Sequence, residues 1–260
     1  MSRPLAGRRV LVTRRPEQSR ALTSRLREAG AEVVELPLIE IQPAEDSAAL
    51  DAALARLHAY DWLVFTSANA VRALADRLKA LGLAQASVGQ ATAVASVGPA
   101  TSEAFREAFP KGRVSLEPAA EHRAEALLAA FRSRGVTGER FLLPVSDRGR
   151  RVLADGLREA GARVDAITAY RTRPAPDLPA RLPAILKKGL DIAVFASPSA
   201  VASFVAAAGP PAHAFPAAVI GPVTREAAEA AGLDVRVVAG VSSAEGLLAA
   251  LAAYFAPGRP

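Results

Sequence analysis

The chain has 260 residues, enough for one large or two small domains, and 51% hydrophobic against 22% charged residues gives a globular mixture with ample core. A net charge of +6, carried almost wholly by arginine, admits an anionic partner, whereas 5% aromatics offer no stacking platform for single-stranded nucleic acid. Zero cysteines exclude disulfides, thiolate nucleophiles and cysteine–zinc sites. No apolar run approaches the ~20 residues of a membrane span, and MSRPLAGRRVLV lacks a signal-peptide core. A cytoplasmic location without a membrane partner is expected.

Arg9–Thr13 (RVLVT) is a short apolar run of the buried-strand kind. Pro16 opens a helix that closes at Gly30, and Ala31–Leu36 is the next strand. Pro37–Pro43 (PLIEIQP) reads as extended and exposed rather than as a core strand. A helix around Ser47–Leu57 precedes a strand at Asp61–Thr66 (DWLVFT), the turn Ser67-Ala68-Asn69 and a helix with Val71 and Leu74 inward. Ala93–Val97 is a strand, and Gly98-Pro99-Ala100-Thr101 leads into a helix through Phe109. A strand at Arg113–Leu116 and a helix at Glu121–Arg134 follow.

Gly138–Pro174 then repeats the layout of Gly7–Pro43 and shares LREAGA with it outright. The later copy carries Tyr170 where its extended run begins. DIAVFA then SPSA (Asp191–Ala200) mirrors DWLVFT then SANA, Gly221-Pro222-Val223-Thr224 mirrors GPAT, and AEGLLAAL mirrors AEALLAAF. Four units recur in the same order, so the chain is an internal duplication.

Strands too apolar to face water, alternating with helices, mean parallel sheets covered on both faces. The fold class is α/β: two doubly wound parallel-sheet domains joined by a two-stranded antiparallel ladder. The repeat alone leaves open a cut near residue 136 into two contiguous domains; the matching proline-ended runs argue instead for residues 1–36 with 175–260 in the first domain, 44–168 in the second, and 37–43 with 169–174 in the ladder. Two crossings stiffen the domains' orientation yet allow rocking about a hinge.

Ligands of such sheets bind beyond the carboxyl ends of the strands. The turns expected there are Arg14-Arg15-Pro16, Ser67-Ala68-Asn69, Gly98–Thr101, Ser146-Asp147-Arg148, Ser197-Pro198-Ser199 and Pro222-Val223-Thr224 after Gly221. Each is read as opening a helix, so each presents unpaired N–H groups and a positive dipole end. A large ligand with several carboxylates or phosphates fits such a set across a cleft. For any one turn, Ser, Thr and Asn are simply helix caps; the signal lies in both halves placing the same polar turns at the same strand ends.

The phosphate loop, GxGxxG and GxSxG motifs are absent from the sequence. His58, His122 and His213 are scattered and suit surface or capping roles rather than a metal site or triad. Asp61 and Asp191 sit at strand starts, the wrong end; Asp147 sits at the right end, where it also suits a helix dipole. Tyr170 has two roles open to it: a hinge aromatic packed against the ladder, or a phenol aimed into the cleft as a proton donor.

VLVTRRPEQSRALTSRLREAGAEVVELPLIEIQP, DWLVFTSANAV, SVGPATSEAF, LLPVSDRGRRVLADGLREAGARVDAITAYRT, DIAVFASPSAV and IGPVTREAAEAAG together resemble the uroporphyrinogen-III synthase family, in order and over nearly the whole chain. The resemblance implies two interleaved α/β domains and a reaction without cofactor or metal. Linear hydroxymethylbilane loses water and closes with inversion of its last pyrrole ring. It implies Tyr170 as the acid for departure of the hydroxyl. It also implies substrate contacts at Ser67–Asn69, Gly98–Thr101, Ser197–Ser199 and Pro222–Thr224. The substrate, a tetrapyrrole with eight carboxylates, suits a basic protein rich in helix N-termini, to which Arg14, Arg15, Ser146 and Arg148 add. A monomer is expected. Two other classes remain open: a non-catalytic two-domain module sensing a polyanion, and nucleic-acid binding through the arginine excess.

Overall fold

A computed structural model describes residues 3–83, 88–90, 92–119, 121–209 and 215–256. His213 lies outside the described residues. The chain forms two compact units, residues 1–40 with 173–260 and residues 41–172.

In the first unit, β1 (Arg9–Val12), β2 (Glu32–Glu35), β9 (Ile192–Phe195), β10 (Pro216–Val219) and β11 (Asp234–Val238) form one sheet in the order β11-β10-β9-β1-β2. The pairs β1–β2, β1–β9, β9–β10 and β10–β11 are all parallel. In chain order this is the 2-1-3-4-5 arrangement of a flavodoxin-like sheet. The alternation of side chains divides the strands between two cores. Leu11, Ala193 and Phe195 pack on one face; Val10, Val12, Ile192 and Val194 pack on the other. Each large apolar side chain buried this way contributes about 1.5–3 kcal/mol. The helices α1 (Pro16–Glu28), α7 (Leu178–Lys187), α8 (Pro198–Ala208), α9 (Pro222–Ala230) and α10 (Ala244–Tyr254) supply the covering side chains. Helix α7, which carries Pro183 inside it, has no counterpart in the sequence reading.

The second unit repeats the plan. Its strands are β3 (Ile39–Pro43), β4 (Trp62–Phe65), β5 (Ala93–Ser96), β6 (Val114–Leu116), β7 (Arg140–Ser146) and β8 (Arg163–Pro174), ordered β3-β8-β7-β4-β5-β6. With β3 set aside, β8-β7-β4-β5-β6 matches β2-β1-β9-β10-β11 strand for strand. Leu63, Phe65 and Leu142 face one core and Trp62, Val64, Phe141 and Leu143 the other. The helices are α2 (Ala48–Ala55), α3 (Ala68–Ala80), α4 (Pro99–Ala108), α5 (Ala124–Arg134) and α6 (Val152–Glu159).

The proline-ended runs differ from expectation in two ways. Ala169–Pro174 is no separate segment but the end of the 12-residue strand β8. Pro37–Pro43 is not simply exposed either: Leu38 is fully buried in the first unit's core. From Ile39 onward the run is an edge strand, the one sheet position that tolerates its terminal Pro43. Ala175 N–H donates to Leu38 O at 3.0 Å and Arg171 Nε to Pro43 O at 3.3 Å, so the partners run in opposite directions.

Asp61 and Asp191 do the same job in each unit. The Asp61 carboxylate accepts the backbone N–H of Arg140 at 2.7 Å, and that of Asp191 accepts Arg9 N–H at 2.8 Å. Each carboxylate ties the start of its own strand to the start of the next. Among the described residues, no helix is long and apolar enough to cross a membrane.

Candidate active site

Parallel strands deliver every candidate turn to the carboxyl edge of its own sheet. In the first unit, Arg14 and Arg15 are half-buried and Arg15 is the N-cap of α1. Ser197 caps α8, its Oγ accepting Ala200 N–H at 3.3 Å, with Ser199 half-buried one turn into the helix. Pro222 is exposed at the start of α9, Val223 is half-buried and Thr224 is buried.

The second unit mirrors this. Ser67 caps α3 by accepting Ala70 N–H at 3.1 Å, and Ala68 and Asn69 are half-buried in the first turn. The cap torsions of Ser67 (φ −162°, ψ 152°) and Ser197 (φ −160°, ψ 153°) are nearly the same. Gly98 and Gly221 open α4 and α9, neither helix having a side-chain cap. Close approach favours glycine at both, more strongly at Gly98. A Cβ on Gly98 would stand 2.7 Å from His122 Cβ, and one on Gly221 would stand 2.6 Å from Ser242 Oγ. His122 is thus a lid on the Gly98 turn, whereas His58 lies exposed in a short 3-10 turn. Thr101, like Thr224, is buried at 4% exposure, so neither offers its side chain freely to a ligand. Near the Gly98 turn, the Ser96 and Ser102 hydroxyls meet at 2.6 Å and the Ser102 hydroxyl donates to the Glu117 carboxylate, leaving Ser96 to donate to Ser102, a part-buried knot that sequence reasoning missed.

Ser146-Asp147-Arg148 departs from expectation. It does not open a helix, because α6 begins only at Val152. Asp147 is therefore no helix-dipole partner: its Oδ1 accepts Thr172 N–H at 3.1 Å and the Ser146 hydroxyl at 3.1 Å. Arg148 is exposed and its N–H donates to Ser146 Oγ at 3.3 Å.

Three of the candidates come together. The Tyr170 ring is buried, at 6% exposure, in the core beneath α3. Its hydroxyl lies 3.0 Å from Ser67 Oγ, with the Ser146 side chain near enough to influence it. Ser67 follows β4 and Ser146 ends β7, neighbouring strands whose crossovers leave in opposite directions. That is the switch point where doubly wound sheets take their ligands. The ring packs in the core while the hydroxyl reaches Ser67 at the carboxyl edge of the sheet. Burial pushes the phenol above its ordinary value; the Ser67 hydrogen bond and the nearby Ser146 hydroxyl pull it back, and the Asp147 carboxylate adds to the rise. The proton is therefore held at neutral pH. Tyr60 by contrast donates to Asp165 at 2.5 Å from a buried position, and Tyr254 stacks edge-on against Phe255.

A duplicated flavodoxin-like sheet, interleaved in chain order and carrying a buried phenol at one switch point, defines a tandem α/β protein that presents polar helix starts to its ligand. The family model described as uroporphyrinogen-III synthase HemD matches residues 20–249, and the chain belongs to that family. It is 36% identical over 203 residues to the uroporphyrinogen-III synthase of Synechococcus elongatus, covering 77% of this chain and 75% of that one. It is 31% identical over 162 residues to that of Proteus mirabilis, covering 62% and 79%. The fold is shared with a crystal structure of a mutant uroporphyrinogen III synthase from the extremely thermophilic bacterium Thermus thermophilus (TM-score 0.68, 20% identity, 95% of this chain and 98% of that one). It is also shared with the Helicobacter pylori enzyme (TM-score 0.59, 16% identity, 93% and 97%).

Proposed function

We propose that the chain carries out its family's reaction, cyclising linear hydroxymethylbilane with loss of water and inversion of the last pyrrole ring to give uroporphyrinogen III. The observation that carries the site assignment is the Tyr170 phenol between Ser67 and Ser146 at the switch point of the second unit. Tyr170 gives its proton to the departing hydroxyl, which leaves as water, and the Ser67 hydroxyl, 3.0 Å away, donates to the phenolate. The cation left behind is attacked by the last pyrrole ring at its already substituted α-carbon, giving a spirocyclic pyrrolenine; the older methylene bond at that carbon breaks and re-forms at the ring's free α-carbon, and the proton released there at aromatisation restores the phenol. The bilane closes unaided without inversion, so the enzyme's main contribution is to hold one productive fold.

Carboxylates of the substrate are received by backbone N–H groups at the starts of α3, α4, α8 and α9 and by Arg14, Arg15 and Arg148. Burial of Thr101 and Thr224 supports a backbone role for their turns. A monomeric, cytoplasmic enzyme that binds no nucleic acid completes the reading, its monomeric state being open to sedimentation.

Tyr170→Phe tests the assignment. Phenylalanine keeps the buried ring and removes only the hydroxyl. Turnover falls about 10- to 100-fold, the low end of general-acid effects because the leaving group departs readily. Wild-type turnover in this variant removes Tyr170 from the chemistry.

A further inference from the structure

Regular alternation along β8 cannot bring Tyr170 to the face it occupies. β7 and β8 pair residue for residue from Arg140↔Arg163 to Val145↔Thr168; the register then slips, and Ser146 stands opposite Tyr170 with Ala169 as the extra residue. Successive side chains point to opposite faces of a sheet, so a one-residue change reverses everything after it. Ile167 packs on the α3 side, and Val164, three residues earlier, packs on the other. Continued regularly, the strand puts Ala169 on the α3 side and turns Tyr170 away from Ser67. Instead Ala169 and Tyr170 both belong to the α3-side core. The bulge re-aims the tyrosine. In the first copy Val34, Leu36 and Leu38 keep the two-residue period within one core.

A bulge interrupts the ladder, and Asp147 supplies replacement bonds. Its N–H donates to Tyr170 O at 3.1 Å, and its Oδ1 accepts Thr172 N–H at 3.1 Å, so it holds the strand immediately after the tyrosine side chain. The same Oδ1 accepts the Ser146 hydroxyl. A carboxylate only accepts. Ser146 therefore spends its proton on Asp147, which fixes the Ser146 side chain in the neighbourhood of the Tyr170 hydroxyl. Asp147 is exposed, and core packing places no demand for a carboxylate there.

We propose that Asp147 is a positioning residue for the reaction, fixing the Tyr170 hydroxyl opposite Ser67 through the bulge at Ala169 and through Ser146. The inference rests on the reading of Tyr170 as proton donor.

The test compares Asp147→Ala, Asp147→Asn, Tyr170→Phe and the double variant Asp147→Ala/Tyr170→Phe for kcat, KM and thermal midpoint, following type III product. Asp147→Ala lowers kcat about 10- to 100-fold, the scale of a misplaced reacting group, with KM within about twofold. Asp147→Asn keeps an oxygen for Thr172 N–H and Ser146 and recovers most of the loss. Adding Asp147→Ala to Tyr170→Phe costs no more than about a further twofold, because aiming an absent hydroxyl is worthless. An unimpaired Asp147→Ala, a change confined to KM, an asparagine no better than alanine, or losses that multiply in the double variant each overturn the proposal. Wild-type turnover in Tyr170→Phe sinks the proton-donor reading and this one together, whereas multiplied losses remove Asp147 alone. Where Asp147→Ala fails to fold, Ser146→Ala poses the question through the other arm. A kcat loss that vanishes in the Tyr170→Phe background supports the proposal, and full activity overturns it.

Discussion

Ser67 and Ser197 form a matched pair supplied by the duplication. Their torsions agree within 2°, and each Oγ accepts the N–H of the third residue on, at 3.1 and 3.3 Å. Replacing either by alanine removes one helix cap and costs about 1 kcal/mol, roughly 3–5 °C in thermal midpoint for units of this size. Only Ser67 makes a second bond, to the Tyr170 hydroxyl at 3.0 Å. Ser67→Ala therefore also lowers kcat about tenfold with KM nearly unchanged, because the phenol loses its hydrogen-bond partner. Ser197→Ala matches the loss of stability but moves KM by a few-fold at most. Melting curves with initial rates of type III formation read both effects. Equal kcat losses in the two variants, or a Ser67→Ala enzyme at full kcat, refute the reasoning.

Gly98→Ala forces a Cβ to within 2.7 Å of His122 Cβ and lowers stability by about 1–3 kcal/mol. Gly221→Ala meets only the rotatable Ser242 Oγ and costs less; denaturant midpoints of the two variants compare them. The Tyr170 phenol is raised by burial, so the alkaline fall in turnover lies above the ordinary tyrosine value of about 10. The folded protein holds this proton more tightly than the unfolded chain does. Its contribution to stability is thus full below about pH 10 and is lost as pH rises through the folded value, with Tyr60 adding in the same direction. Rapid-quench rates and melting curves between neutral pH and about pH 11 check both signs.

The duplication was legible because buried parallel strands and polar turns leave strong local signals. DWLVFTSANA and DIAVFASPSA announce β4 and β9 and their serine caps without any tertiary information. Tyr170 drew attention through its place at the end of the repeat. What the sequence hid were contacts made across strands. The slip at Val145/Ser146 puts Ala169 and Tyr170 on one face against the period of two. Its trace is only an Ala-Tyr pair where alternation calls for a polar residue. Asp147 was misread for the same reason: from sequence it borders a helix, but α6 starts at Val152 and its carboxylate serves the neighbouring strand. The knot of Ser96, Ser102 and Glu117 joins the end of β5, the first turn of α4 and the residue after β6, and has no local pattern at all.

The most direct measurement is the isomer composition formed from hydroxymethylbilane. The purified protein is incubated with the bilane, the products are oxidised, and the type I and type III porphyrins are separated beside a buffer control. Predominantly type III product, formed faster than the control closes its ring, is the predicted result; type I alone at the buffer rate would contradict the account.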